Sequence, residues 1–189
     1  MFKKMIAILA LALIGATAHA EDKLELGYRV DNTRNSTEEQ NVVTLDWMHK
    51  MNKYWSVGLG ARLSEKDQPG DKNNHRLTNR FMLRNQFDYN MLYLNVDLGE
   101  KNQSLAPSTG FYQVESGVKY KVNDDWQVKL GYQYRNGLAG VDDLQKGPRV
   151  AVKYKIDKSL AVNLKYDYFE FANNVKRDRI GVSIEKRFF

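Results

Sequence analysis

After its first twenty residues this chain alternates apolar and polar side chains in one long segment after another, and it closes on Phe188-Phe189. Leu24, Leu26, Tyr28 and Val30 alternate with Lys23, Glu25, Gly27 and Arg29. Trp126, Val128, Leu130, Tyr132 and Tyr134 alternate with Gln127, Lys129, Gly131, Gln133 and Arg135. A strand turns successive side chains to opposite faces, so each segment has one apolar and one charged face. A soluble sandwich alternates too. Here, however, the segments are long, the tryptophans gather at one predicted end, and a secretion signal precedes them. Together these predict an all-β chain: a transmembrane, antiparallel, up-and-down β-barrel of about ten strands, with eight or twelve as the neighbouring counts.

The N-terminus supplies the address. Lys3 and Lys4 form a positive n-region, residues 5–14 an apolar core, and Ala18-His19-Ala20 a small-residue cleavage site. The apolar run is too short to span a bilayer as a helix. Residues 1–20 are therefore read as a signal peptide and residues 21–189 as the barrel, exported to the periplasm and inserted into the outer membrane of a Gram-negative cell. The absence of cysteine agrees with a secreted chain that needs no disulfide. A negative mean hydropathy agrees with strands of which only half the side chains face lipid. The basic surplus, 29 Lys and Arg against 23 Asp and Glu, suits nucleic acid, an anionic surface or an acidic solute. Export removes nucleic acid.

Ten segments follow from the breaks: residues 23–31, 41–50, 54–65, 76–89, 92–100, 111–122, 126–136, 148–156, 160–170 and 178–188. The connections alternate in length. Met51-Asn52-Lys53, Asn90-Met91, Asn123-Asp124-Asp125 and Asp157-Lys158-Ser159 are short; residues 32–40, 66–75, 101–110, 137–147 and 171–177 are longer and polar. Short periplasmic turns and longer external loops are the asymmetry of outer-membrane barrels. Both termini then lie on the short-turn side. Trp47, Trp55, Tyr89, Tyr120, Trp126, Tyr154 and Phe188 stand beside short turns on the apolar phase, predicting a membrane girdle, with Tyr28, Tyr112, Tyr134 and Tyr168 at the other end. Core aromatics of a soluble β-protein are the alternative, but they have no reason to sort to strand ends. Lys186 and Glu170 fall on the lipid face near strand ends, where long side chains can reach water. Asn79, Asn85 and Ser116 are polar on that face, and Asn85 suggests a bulge or a shift of register.

The opposite phase collects Arg29, Arg62, Arg80, Arg84, Lys119, Lys129, Arg135, Arg149, Lys153 and Lys165, together with Arg179 and Arg187. These are the expected pore-lining, anion-binding residues. Fewer acids share the face: Glu25, Asp46, Asp88, Asp97, Glu115, Asp167 and Glu185. Guanidinium groups hold carboxylates through two parallel hydrogen bonds, so such a lumen would admit small anionic solutes. The alternative is a small barrel plugged by its own paired charges. The inward glycines Gly27, Gly58, Gly60, Gly99, Gly117, Gly131 and Gly181 mean either space kept clear or room for long neighbours.

The closing hairpin, Tyr166-Asp167-Tyr168 followed by Arg179-Ile180-Gly181-Val182-Ser183, resembles that of the oligogalacturonate-specific porins of the KdgM type. The match covers about the last twenty-five residues. It implies a small monomeric channel whose basic lumen passes acidic oligosaccharides. Members of that family usually have twelve strands, and here the apolar phase of Val182, Ile184 and Phe188 runs through the penultimate position. Both are departures from the family pattern.

Other classes have thinner support. His49 lies beside a short turn with no evident acid or serine partner, and His75 shares a loop with Asp67 and Asp71, an arrangement that resembles the rim of omptin proteases. No enzyme is read from this, nor any cofactor or metal site, although Glu65, Asp67 and Asp71 are the residues a calcium ion would use. A closed, non-transporting surface barrel of the Ail and OmpX kind is the other alternative. Partners follow from the address: outer-membrane lipid, lipopolysaccharide phosphates near Lys72, Lys101, Lys176 and Arg177, and the assembly machinery that reads the last strand. The chain is expected to act as a monomer.

Overall fold

Alternation over ten segments leaves each strand with a lipid-compatible face, and closing the sheet is the way to pair every backbone group in a bilayer. The computed structural model describes residues 22–36, 38–67, 75–86, 91–103, 106–172 and 174–189, with backbone alone at 66, 67, 75, 86, 103 and 106. The strands are β1 (Asp22–Thr33), β2 (Glu39–Lys50), β3 (Trp55–Asp67), β4 (His75–Gln86), β5 (Leu92–Gln103), β6 (Ala106–Lys121), β7 (Trp126–Gly137), β8 (Gln145–Lys155), β9 (Leu160–Phe171) and β10 (Lys176–Arg187). Each pairs antiparallel with its sequence neighbours, and β1 pairs with β10 to close the barrel. The signal peptide reading and the predicted girdle residue Tyr89 lie outside the described residues.

The register fixes the barrel's geometry. Partners of Gly27 followed through Thr44, Arg62, Thr78 and Lys101 lead to Thr109 on β6. Followed the other way through Ser183, Asn163, Lys153 and Gln127, they lead to Lys121 on the same strand, an offset of 12 residues. Such a stagger requires tilted strands, typically by about 35–45°.

Three short turns use one device. Asn52 Oδ1 accepts the amides of Tyr54 and Trp55, both at 2.9 Å; Asn123 Oδ1 those of Asp125 and Trp126, at 3.0 and 2.8 Å; and Asp157 Oδ1 those of Ser159 and Leu160, at 2.6 and 2.8 Å. An Asn or Asp three residues before the next strand thus replaces a missing backbone partner. The same amide bonds hold the Asp157 carboxyl below its ordinary range.

The outer surface is apolar. Leu59, Phe81, Leu98, Leu130, Leu164 and Ile180 are all exposed at mid-strand, and Trp47, Trp55, Tyr120, Trp126 and Tyr154 are exposed at the short-turn end. Trp126 and Tyr154 pack with ring centroids 4.7 Å apart. A soluble monomer does not carry such a belt. Lys186 reaches the turn as expected, donating to Ser159 Oγ at 2.8 Å. Placing a charge on this belt should be costly: Leu130→Arg, in mid-β7, is expected to destabilise the barrel by about 2–4 kcal/mol, read from urea unfolding in lipid vesicles.

Several expectations need correcting. Residues 101–110 are mostly sheet, since β5 continues to Gln103 and β6 starts at Ala106. The register irregularity lies there, between Lys101 and Gln103, and not at Asn85, whose pairs with Trp55 and Leu94 are in regular register. Phe188 lies just past β10, its amide bonded to the Asp22 carbonyl at 2.9 Å, and it borders the barrel's short-turn mouth. Lys101 turns inward to Asp143, and Arg177 lies over the Phe171 ring, so neither faces outward toward lipopolysaccharide.

Candidate functional site in the barrel lumen

All ten predicted lining residues stand on the inner phase of the register, and the structure sorts them by depth. Toward the long loops the lumen is filled. Phe111 and Phe169 are fully buried, with the guanidinium groups of Arg135 and Arg179 each 4.4 Å from a ring centroid. Asp31 pairs with Arg29 at 2.6 Å and Arg179 at 3.1 Å. Asp143, from the loop joining β7 and β8, pairs with Lys101 and, at 2.5 Å, with Arg135.

At mid-height the arginines are committed to carboxylates. Arg80 bridges Asp46 at 2.5 Å and Asp97 at 3.2 Å, and Arg84 also meets Asp97. Gln113 donates to Asp97 at 3.0 Å. Arg149 grips Asp167 with two nitrogens, at 2.6 and 2.9 Å, and reaches Glu115 as well. Arg62 differs: among the described residues no carboxylate lies within ion-pair distance of it, and its Nε is buried without a partner.

Below these, lysines replace arginines. Lys165 pairs with Glu25 at 2.5 Å, while Lys153, Lys23 and Arg187 converge on Glu185. Lys119 and Lys129 hold their ammonium groups 5.9 and 4.3 Å from the centroid of the Tyr93 ring. The Tyr93 hydroxyl donates to Glu115 at 2.9 Å.

A cavity of about 690 Å³ occupies the middle and lower lumen. Asn52, Lys53, Tyr54 and the terminal Phe188 and Phe189 border it, which sets its mouth at the short-turn end. Phe111, Phe169, Arg135 and Arg179 do not border it, so their layer is its roof. Fifteen Lys or Arg line the cavity against seven Asp or Glu.

The glycines resolve toward room for neighbours. A Cβ on Gly131 would sit 2.1 Å from the Tyr93 hydroxyl, and one on Gly99 2.4 Å from the Phe111 ring. Tyr93, Phe111, Phe169, Asp31 and Asp143 were not singled out by sequence reasoning. The signal for the three rings is an aromatic on the charged phase of its strand. His49 does have an acid partner, Asp22, whose Oδ1 is 2.7 Å from Nδ1 while Oδ2 accepts from Trp47 Nε1 at 3.2 Å. The His75, Asp67 and Asp71 side chains lie outside the described set, as does Asp88.

Residues 6–147 match the family described as outer membrane protein beta-barrel domain. The chain belongs to this outer-membrane barrel family. Its location is the bacterial outer membrane. Among solved structures, this outer-membrane barrel is similar to the translocator domain of the autotransporter NalP from Neisseria meningitidis, at 9% identity and a TM-score of 0.57, with 98% of this chain and 95% of that one covered. It is similar to an outer membrane channel from Pseudomonas putida at 9% identity and a TM-score of 0.55, covering 92% and 97%. It is also similar to the KdgM porin at 14% identity and a TM-score of 0.50, covering 87% and 99%. At these identities the likeness is one of fold. No curated protein matches the sequence.

Proposed function

We propose that this barrel is a non-enzymatic channel of low conductance for small anionic solutes. The observation that carries the reading is the lining of the cavity, in which cations outnumber acids fifteen to seven. A low-dielectric wall of one sign concentrates counter-ions and raises their rate of arrival. Arg62 is placed to use that field, since no described carboxylate neutralises it at close range. The roof of Phe111, Phe169, Arg135 and Arg179 limits the size of what passes. That favours small anions over the acidic oligosaccharides suggested by the KdgM resemblance, although a KdgM porin has been solved in complex with disordered oligogalacturonate. The same roof is the observation that favours a second reading, a closed barrel with no transport.

Current through the refolded protein in planar bilayers under a salt gradient separates the two. Small, discrete, anion-selective steps are expected, and Arg62→Gln should weaken the anion preference without disturbing an ion pair. Silence from protein that is demonstrably folded would reject the channel and leave the closed barrel.

A further inference from the structure

The lumen divides its cations by chemistry as well as by depth. The mid-height arginines Arg80, Arg84 and Arg149 already hold carboxylates, Arg149 gripping Asp167 with two nitrogens. Lys129 makes no ion pair within 4 Å among the described residues; its ammonium rests on the face of Tyr93. Lys119 lies over the same ring. The ring itself is fixed, because its hydroxyl is tied to Glu115 and Gly131 leaves it room. An oxyanion that enters the cavity beside this ring meets the charge of both ammonium groups. Lysine is a compact point charge, well suited to a phosphate-type oxyanion, whereas arginine's planar fork is used here on carboxylates.

Access is one-sided. Both lysines line the cavity, whose mouth is bordered by Asn52, Lys53 and the C-terminal residues at the short-turn end. The roof separates them from the long loops. In an outer-membrane barrel the end with short turns and both termini faces the periplasm.

We infer that Lys119, Lys129 and the Tyr93 platform form a binding site for a compact phosphate-class oxyanion that enters from the periplasmic end. The site holds its ligand in a basic vestibule beneath the roof. A volume of about 690 Å³ accommodates pyrophosphate or a phosphorylated molecule of similar size. This rests on the anion-channel reading for its lumenal electrostatics, yet binding does not require conduction.

Calorimetric titration of the refolded barrel with inorganic pyrophosphate tests it. The parent protein should bind. Lys119→Gln/Lys129→Gln should lose roughly tenfold or more in affinity per ammonium removed. Lys129→Arg should retain most binding, and Lys176→Gln, outside the lumen, all of it. No binding by the parent, or equal binding by the double glutamine variant, would overturn the inference. Should the glutamine variant fail to fold, Lys129→Met alone gives the same reading. Sidedness is read by adding pyrophosphate to either face of a bilayer, with orientation reported by labelling a Ser36→Cys variant, since the chain has no other cysteine. Block from the short-turn face alone is expected, and block from the long-loop face alone would overturn the inferred route. A silent barrel that still binds pyrophosphate keeps this site and loses the channel; a conducting barrel indifferent to pyrophosphate does the reverse.

Discussion

Arg149→Met is expected to destabilise the folded barrel by about 3–5 kcal/mol, the range for removing one partner from a buried charge network. Arg149 closes a triad: two of its nitrogens hold Asp167, and a third reaches Glu115. Both carboxylates are almost wholly buried, with side-chain exposures of 4% and 5%. Removing the guanidinium leaves two like charges facing one lumen, with the Tyr93 hydroxyl as partial compensation for Glu115 alone. The cost therefore comes from the orphaned acids and not from lost attraction. A triple variant, Arg149→Met with Glu115→Gln and Asp167→Asn, should recover most of the stability for that reason. Urea unfolding in lipid vesicles, followed by tryptophan fluorescence, reads both. A single variant as stable as the parent would mean that lumenal water solvates the acids well enough to make the triad dispensable.

That triad also marks where sequence reading stops. Parity places Arg149, Glu115 and Asp167 on the inner face, because period two is unambiguous wherever one face must meet lipid. It cannot say that Arg149 meets an acid 34 positions away, since that depends on a register propagated around a barrel offset by 12 residues. The loss of signal above the bilayer has a different cause. There both faces of a strand meet polar surroundings, so alternation disappears, and the extensions of β5 and β6 across residues 101–110 read as a loop. The roof went unread for a third reason. Phe111 and Phe169 sit on the charged phase, where an aromatic looks like noise until Arg135 and Arg179 are seen stacked on the rings. Three of the short turns were legible, because Asn52, Asn123 and Asp157 act within their own few residues; the Asn90-Met91 turn reaches outside the described residues.

Asp143→Asn is expected to open the roof, raising the unit conductance several-fold at neutral pH. Most of the roof is carried by strands, whose positions the sheet holds. Asp143 is the exception, since it comes from the loop between β7 and β8 and pairs with Lys101 and Arg135. That loop turns through Ala139 (φ 55°) and Gly140 (φ 80°), and its backbone is tied to neighbouring segments by the Leu138 amide to the Gly110 carbonyl at 2.9 Å and the Ala172 amide to the Leu144 carbonyl at 3.3 Å. Without its charge, Lys101 and Arg135 lose their shared acid and repel each other, and the loop loses its side-chain tie to the roof. The pH dependence follows from the direction of the Asp143 shift. Burial would raise its pKa, but Arg135 and Lys101 outweigh that and hold it below the ordinary value. A depressed folded-state pKa means that the latch is fully engaged above the unfolded value of about 3.9 and is lost only as pH falls through the lower folded value. Conductance should thus be insensitive to this group between neutral pH and about pH 5, and the parent should approach the asparagine variant only in stronger acid. Single-channel recording across that range decides it: equal conductance in parent and variant at neutral pH would place the constriction with the rings and leave Asp143 an ion pair that gates nothing.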